Sequence, residues 1–323
     1  MKPRVFVSRI IPDEGLKMLK RDKRVLLDVY EHDKIIPRRE LLRRVKGATA
    51  LLSILTDKID KELFEAAGPS LKMVANYAVG FDNVDLKEAA KRGITVSNTP
   101  GPEIAETVAE HAVALIFGLA HRIVEADQYA RDGKYHGWGP QLLLGTDVIG
   151  KTLGIVGSGI IGKGVIRRMY DGFGVKILYT NPKPDEEIEK REHAKFCTLE
   201  ELLKQSDFVS LHVPLLPTTR HMIGAKQLRL MKKTAYLINT SRGPVIDEKA
   251  LIAALQRKQI AGAGLDVYET EPEISPILLK LPNVITTPHT ASATIETRQV
   301  MSRRAAENII AFFDGKVPPN AVK

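Results

Sequence analysis

The chain has 323 residues, more than one hydrophobic core normally holds, and its 44% apolar and 27% charged residues are typical of a folded protein, so we expect two domains. The net charge of +9 is concentrated in residues 1–48, which contain 14 Lys or Arg and seven Asp or Glu. In this segment the basic residues flank apolar residues at helical spacing. This pattern favours a solvated helix face and argues against a nucleic-acid partner. The lone cysteine, Cys197, excludes a disulfide scaffold and favours the cytoplasm, and the absence of any run of about 18 apolar residues argues against a membrane partner.

Short aliphatic runs alternate with helical segments along the chain, which predicts an α/β fold with largely parallel sheets. A first series predicts strands at 4–7, 25–30, 49–55, 72–76 and 94–97. Residues 103–131 then have apolar side chains at helical spacing without a proline, which predicts one long helix that ends near Gly133. A second series predicts strands at 152–156, 176–179, 208–212, 235–239, 263–267 and 284–287, followed by a final helix at 296–313.

A glycine-rich loop stands between the first strand of the second series and a helical pattern at 163–170. It reads Gly157-Ser158-Gly159-Ile160-Ile161-Gly162. The first glycine permits a tight turn, the second lets a pyrophosphate approach the backbone, and the third allows the helix to pack closely on the strand. A chance glycine turn is the alternative, but the position between strand and helix favours a dinucleotide site, with phosphates held by amides at the helix start.

The strand that follows this loop indicates which nicotinamide nucleotide is bound. NAD-binding sequences place an acidic residue about 20 positions beyond the loop, where it binds the ribose 2′-hydroxyl. Here the strand leads instead to Asn181-Pro182-Lys183. A neutral amide does not repel a 2′-phosphate and Lys183 supplies positive charge, so we expect NADPH to be used at least as well as NADH.

Three charged side chains near the ends of later strands suit the oxidation of an alcohol beside a carboxylate. Arg242, in Ser241-Arg242-Gly243, offers a guanidinium that binds a carboxylate through two parallel hydrogen bonds. His289 follows the last predicted strand, and an imidazole can exchange a proton with the hydroxyl group because this side chain is suited to acid–base chemistry near neutral pH. Glu271 precedes Pro272 and can orient the imidazole.

These motifs, in this order, resemble those of the D-isomer-specific 2-hydroxyacid dehydrogenases over nearly the whole chain. Residues 77–83 and 238–243 are most similar to the glyoxylate and hydroxypyruvate reductase branch. The resemblance implies Arg242, Glu271 and His289 as the catalytic trio, and it selects Glu271 over Glu269 because the family's acid directly precedes the proline. One departure is Thr290-Ala291 after the histidine, where relatives often have Ile-Gly.

The resemblance also implies further site residues. Asp266 is expected at the nicotinamide end of the cofactor, and Trp138 is expected to reach a neighbouring subunit's active site in a homodimer, although a packed core aromatic is an equal alternative for this indole. The loop Ala78-Val79-Gly80 is expected to offer backbone amides to the substrate carboxylate. We also place Thr107 and Thr240 among the cofactor contacts, and we expect no metal in the site.

We therefore predict two Rossmann-like lobes with doubly wound parallel sheets and an active site in the cleft between them. Residues 1–99 and 290–323 would form the substrate domain, and residues 100–289 the dinucleotide-binding domain. The predicted function is hydride transfer between NADPH or NADH and a small 2-keto acid, with glyoxylate and hydroxypyruvate favoured and the preferred acid left open. Two alternatives are a nucleotide-sensing corepressor of the same fold and phosphite oxidation. The second is disfavoured because residues 77–79 lack the lysine of phosphite-oxidising relatives.

Overall fold

The structure is a computed structural model that describes residues 2–322. The strands are β1 (Arg4–Val7), β2 (Leu26–Val29), β3 (Ala50–Ile54), β4 (Met73–Tyr77), β5 (Thr95–Ser97), β6 (Thr152–Val156), β7 (Lys176–Thr180), β8 (Lys195–Phe196), β9 (Phe208–Leu211), β10 (Tyr236–Asn239), β11 (Gly262–Leu265) and β12 (Val284–Thr286). The α-helices are α1 (Asp13–Arg21), α2 (Arg38–Val45), α3 (Lys61–Ala67), α4 (Leu86–Lys91), α5 (Pro102–Ala120), α6 (Ile123–Arg131), α7 (Ile160–Phe173), α8 (Glu186–Arg191), α9 (Leu199–Gln205), α10 (Ala225–Leu230), α11 (Glu248–Gln256) and α12 (Ile295–Phe313).

The chain divides into two compact units. The first unit ends at Ile104 and resumes at Ala293, and the second unit is the segment Ala105–Ser292. The sequence places these boundaries slightly earlier, at 99/100 and 289/290. The difference arises because the first turn of α5 packs with the first unit, whereas the turn that carries His289 is bonded to β11 of the second unit.

The first unit contains a five-stranded parallel sheet in the order β2-β1-β3-β4-β5. Helix α12 packs on α1 and on β4, and Ala321 pairs with Ser97 at the end of β5. The C-terminal segment is therefore part of the same unit as the first hundred residues.

The second unit contains a seven-stranded parallel sheet in the order β12-β11-β10-β9-β6-β7-β8. Side chains alternate across it, so Leu153 and Ile155 of β6 face a core shared with α5 and α7, while Val156 faces the core shared with α9, α10 and α11. The fold prediction of two parallel α/β units is confirmed. The two-residue edge strand β8 lies outside the predicted strands.

The predicted single helix over 103–131 is wrong, because the chain breaks between α5 and α6. Arg122 adopts a left-handed conformation with φ of 53°, and the carbonyl of Ala120 accepts a hydrogen bond of 2.8 Å from the amide of Thr146. Among the described residues no single helix is long and apolar enough to cross a membrane. Only the pair α5 and α6, bent by 61° at this break, meets that test of length and composition.

Candidate active site

The predicted residues that follow strands of the second unit share one edge of its sheet. All seven strands are parallel, so the segments that follow their carboxyl ends share an edge, where ligands bind in open α/β sheets. Gly157 follows β6, Asn181 follows β7, and Arg242 follows β10. Asp266 and His289 follow β11 and β12. The order β9-β6-β7 puts the glycine loop beside the point where the strand order reverses.

The glycine loop has the geometry that a dinucleotide requires. Gly157 has a φ of 95°, and a Cβ atom there would lie 2.9 Å from the His212 carbonyl oxygen. A Cβ at Gly162 would lie 2.2 Å from the Gly157 carbonyl oxygen, so this glycine permits the close approach of α7. Gly159 instead faces open space, with no atom within 4 Å of a Cβ built there. The loop thus leaves room for phosphates at the N-terminus of a 14-residue helix.

Two buried hydroxyl groups near this edge also fit a bound dinucleotide. Ser158 Oγ, in the glycine loop, and Thr240 Oγ1, after β10, are buried and have no hydrogen-bond partner among the described residues. Buried polar atoms normally have a partner, so both are suited to a ligand with many phosphate and hydroxyl oxygens. Thr240 is among the residues predicted from the sequence. Ser158 is not, because its position within the motif carries no residue preference.

The segment after β7 is accessible at the predicted ribose position. Asn181 is half-buried, and Pro182 and Lys183 are exposed. Asp185, whose charge would repel a phosphate, caps the start of α8, and its carboxylate lies 2.9 Å from the ammonium group of Lys163. Asp185, the acidic residue nearest to Asn181 in the sequence, is therefore paired with a cation.

Arg242 is held at the end of β10 by the buried side chain of Asn239. The Asn239 amide donates to the Arg242 carbonyl oxygen at 3.0 Å, and its oxygen accepts from the Ser241 amide at 3.0 Å. The guanidinium is half-buried and donates to the Ser241 carbonyl oxygen at 2.8 Å. The next residue, Gly243, contacts the backbone of Tyr268, which brings the Arg242 turn to the loop that carries Glu271.

Glu271 and His289 form a close hydrogen-bonded pair. His289 Nδ1 lies 2.7 Å from Glu271 Oε2, and the other carboxylate oxygen accepts from the Tyr268 amide at 3.1 Å. Burial would raise the pKa of the Glu271 carboxyl, but the hydrogen bond and charge of His289, the Tyr268 amide and the charge of Arg242 lower it below its usual value. Glu271 is therefore an anion at neutral pH, positioned to accept a hydrogen bond from His289 Nδ1.

Glu269, the other candidate acid, has different partners. Its Oε1 lies 2.7 Å from His221 Nε2, and its Oε2 accepts from the Glu248 amide at 3.1 Å. The geometry thus pairs Glu271, and not Glu269, with His289.

Asp266 is completely buried, with none of its surface exposed. Its carboxylate accepts hydrogen bonds from Thr287 Oγ1 at 2.6 Å and from the amides of Thr290 and Ala291 at 2.7 and 2.8 Å. These partners differ from the nicotinamide contact that the resemblance implies, which stays a prediction. Alanine replaces the family's glycine at 291 and still donates its amide to Asp266.

The loop Ala78-Val79-Gly80 follows β4 in the first unit. Its carbonyl groups are occupied, since Asn98 Nδ2 donates to the Val79 oxygen at 2.7 Å and Asn76 Nδ2 donates to the Gly80 oxygen at 3.0 Å. The Val79 side chain is exposed. This arrangement fixes the loop while the amides of 79 and 80 make no backbone hydrogen bond within residues 2–322, which suits the predicted carboxylate contact.

Trp138 and Thr107 complete the predicted set. The Trp138 side chain is 84% exposed, so it is not a packed core aromatic in this chain. Thr107 lies half-buried on α5. Within residues 2–322 no group of three or more His, Cys, Asp or Glu side chains is arranged to hold a metal ion.

Comparison with known proteins identifies the family. The model of the D-isomer-specific 2-hydroxyacid dehydrogenase NAD-binding domain matches residues 113–291. A glyoxylate reductase of Korarchaeum cryptofilum is 54% identical, over all of this chain and 96% of that protein. This chain belongs to the D-isomer-specific 2-hydroxyacid dehydrogenase family. The predicted family and an NAD(P)-dependent dehydrogenase activity are thereby confirmed.

Solved structures are similar to this dehydrogenase over nearly its whole length. A protein of Thermus thermophilus superposes with a TM-score of 0.91 and 42% identity, over 99% of this chain and 100% of that one. An NADPH-dependent glyoxylate/hydroxypyruvate reductase of Sinorhizobium meliloti, in complex with NADP and malonate, has a TM-score of 0.85 and 32% identity. The similarity covers 100% of this chain and 97% of the Sinorhizobium meliloti chain.

Proposed function

We propose that this dehydrogenase reduces glyoxylate and hydroxypyruvate to glycolate and glycerate. The observation that carries the proposal is the pair of His289 Nδ1 and Glu271 Oε2, 2.7 Å apart, with the charge of Arg242 close enough to act on Glu271. The names of the relatives agree with it, since the similar proteins of Korarchaeum cryptofilum and Thermococcus litoralis are glyoxylate reductases.

The reaction follows from the roles of the three side chains. A reduced nicotinamide nucleotide, with its phosphates held at the glycine loop of residues 157–162, would supply the hydride that C2 of the keto acid accepts. Arg242 binds the substrate carboxylate through two parallel hydrogen bonds and so orients C2. His289 gives a proton from Nε2 to the carbonyl oxygen, which becomes the hydroxyl group of the product. Glu271 accepts the Nδ1 hydrogen bond throughout, and its negative charge stabilises the imidazolium ring before the transfer.

The cofactor is NADPH or NADH, and we infer that NADPH is used at least as well as NADH. Asn181 has no charge to repel a 2′-phosphate, and the exposed Lys183 adds a positive one. Asp185 opposes this, although Lys163, which also pairs with Glu187, offsets part of its charge. The expected cofactor contacts are Gly157, Gly159, Ile160, Ile161, Gly162, Asn181, Pro182, Lys183, Thr240, Asp266 and Thr107.

We assign the substrate domain to residues 1–99 with 290–323 and the dinucleotide-binding domain to residues 100–289. In the first of these, the amides of Val79 and Gly80 would bind the substrate carboxylate, whereas the Ala78 amide, also predicted for this role, donates to the Asn76 carbonyl oxygen at 2.8 Å.

We further propose that the dehydrogenase is a cytoplasmic homodimer. Helix α6 has no buried residue, and the segment that follows it has exposed apolar side chains. Such a surface suits burial against a second copy of the chain, with Trp138 reaching the neighbouring active site. The cytoplasm is proposed because the only cysteine, Cys197, is free and buried.

A substrate panel tests this function. Purified protein is assayed with glyoxylate, hydroxypyruvate and pyruvate, each with NADPH and with NADH. Turnover of glyoxylate or hydroxypyruvate is expected, and no turnover of either would refute the proposal. Phosphite with the oxidised cofactors and a filter-binding assay with DNA test the two alternatives. Activity or binding there, without keto-acid reduction, would favour them.

A further inference from the structure

The main-chain turn that carries His289 makes most of its hydrogen bonds with Asp266, and Tyr268 Oη also donates to the Thr287 carbonyl oxygen at 2.9 Å. His289 has a φ of 55°, in the left-handed region, and its amide donates to the Asp266 carbonyl oxygen at 2.9 Å. The amides of Thr290 and Ala291 donate to the two oxygens of the Asp266 carboxylate. Three successive amides are thus bonded to one residue at the end of β11, so the position of the imidazole depends on the position of that carboxylate.

The Asp266 carboxylate also accepts a hydrogen bond from the hydroxyl group of Thr287. Thr287 Oγ1 lies 2.6 Å from Asp266 Oδ1. An ionised carboxylate can only accept, and a hydroxyl group has one proton to give. The Asp266 oxygen is much closer to this hydroxyl group than the other acceptor, the Leu265 carbonyl oxygen at 3.5 Å, so a Thr287 hydroxyl group that donates to Asp266 can only accept from a further partner.

That other partner is a histidine which the sequence did not single out. His111 Nε2 lies 3.0 Å from Thr287 Oγ1 and 3.7 Å from Asp266 Oδ1. Because the hydroxyl proton points to Asp266, His111 must carry a proton on Nε2 and donate it. The hydrogen bonds then run in one direction, from His111 to Thr287 to Asp266. Helix α5 fixes the position of His111, because Ala109 and Ala112 in the same helical turn are completely buried in the core of the second unit.

We propose that His111 is a positioning residue for His289. By donating to Thr287 it fixes the rotamer of Asp266, and Asp266 fixes the 289–291 backbone so that His289 Nδ1 meets Glu271. His111 exchanges no proton with the substrate and contacts no reacting atom. The inference rests on the proposed function in one respect, namely the acid–base role of His289.

Paired substitutions at two positions test the inference through turnover. His111→Leu removes the donor, whereas His111→Gln places an N–H near the position of Nε2. We expect His111→Leu to lower kcat for glyoxylate roughly 10-fold, because small displacements of a reacting group are costly. His111→Gln should restore most of kcat.

The coupling to Thr287 gives a second readout. Thr287→Val keeps the shape of the side chain but removes its hydroxyl group, and Thr287→Ser keeps the hydroxyl. We expect Thr287→Val to cause the same loss as His111→Leu, and the double variant to lose no more than either alone. In both variants the alkaline limb of the pH–rate profile for reduction should move to lower pH, because the contact of His289 with Glu271 is loosened. A role limited to overall stability would lower Tm without moving this limb.

Hydrogen exchange provides a test that does not depend on turnover. In the unliganded protein, exchange at the amides of 289–291 should accelerate in His111→Leu and return to the wild-type rate in His111→Gln. His121→Leu is the matched control, since His121 follows the same helix and stacks on Phe117, 6.0 Å between ring centroids, without contacting Thr287. It should change neither exchange nor kcat.

Each outcome has a defined meaning. Unchanged exchange at 289–291 in His111→Leu, or a kcat loss that adds to that of Thr287→Val, overturns the inference even if the wild type is active. If the wild-type protein reduces no 2-keto acid, the proposed function is refuted. Hydrogen exchange at the amides of 289–291 would then still test whether His111 positions the turn. If His111→Leu does not fold, the Thr287→Val and Thr287→Ser pair decides the matter by the same measurements.

Discussion

Replacing Glu271 by glutamine removes one charge and forces a conflict of hydrogen bonds. Both oxygens of Glu271 are acceptors, one from His289 Nδ1 at 2.7 Å and one from the Tyr268 amide at 3.1 Å. An amide side chain can accept with only one end. Glutamine has two arrangements. In one, its NH₂ group faces the Tyr268 amide, which is also a donor. In the other, its NH₂ group donates to Nδ1, and this disfavours the imidazolium form that reduction requires.

The expected size of the effect follows from this geometry. Both side chains are less than a third exposed, at 29% and 28%, and a hydrogen bond to a charged group contributes about 1.5–3 kcal/mol. At about 1.4 kcal/mol per pH unit this corresponds to roughly 1–2 units. Loss of the anion destabilises the protonated ring, so the alkaline limb of the profile of kcat against pH for reduction should move to lower pH by this amount.

The assay is steady-state glyoxylate reduction between about pH 5 and pH 9, a range that brackets the usual titration of histidine. Glu269→Gln is the matched control, because Glu269 pairs with His221 and not with His289. A shift of the alkaline limb to higher pH in Glu271→Gln, or an equal shift in Glu269→Gln, would show that Glu271 is not the partner of the acid–base histidine.

Four further predictions concern catalysis, cofactor choice and assembly. His289→Ala should lower kcat about 10²–10⁴-fold while fluorescence titration shows nearly unchanged cofactor binding, and near-normal turnover would remove His289 from its role. Arg242→Lys should raise KM for glyoxylate and lower kcat together, since the charge stays while the two parallel hydrogen bonds are lost; unchanged kinetics would mean that another group binds the carboxylate. Asn181→Asp should shift kcat/KM from NADPH towards NADH by roughly 10-fold, about 1.4 kcal/mol, and a strong wild-type preference for NADH would contradict the reasoning. Trp138→Glu should weaken the homodimer in sedimentation experiments by about 2 kcal/mol or more, and a monomeric wild type would refute the proposed assembly.

Local signals in the sequence were sufficient for much of this fold and site. The glycine loop could be predicted because the turn at Gly157 and the close approach at Gly162 each demand a small residue, and Gly159 leaves room for a phosphate group. Arg242, Glu271 and His289 are predicted site residues because each follows a strand whose carboxyl end lies at a shared edge, and the family resemblance selects Glu271 over Glu269. Parallel strands bring such positions together wherever they stand in the chain.

The features that were missed depend on contacts between distant parts of the chain. The break after Ala120 is set by the Thr146 amide, and nothing in the helical pattern of 103–131 records that bond. The partnership of His111 with Thr287 spans 176 positions in the sequence, so His111 resembles any polar residue on a helix. The same holds for the burial of Asp266, since its partners at 287, 290 and 291 belong to the turn after another strand.

The central claim is that a hydride passes between the nicotinamide and C2 of the keto acid at the site of Arg242, Glu271 and His289. It is tested most directly by reducing glyoxylate with NADPH that carries deuterium at the transferred C4 position and analysing the product by mass spectrometry. We expect one deuterium on C2 of glycolate for each cofactor oxidised, and almost no product from His289→Ala in the same time. Cofactor oxidation without labelled glycolate, or undiminished labelling by His289→Ala, would contradict it.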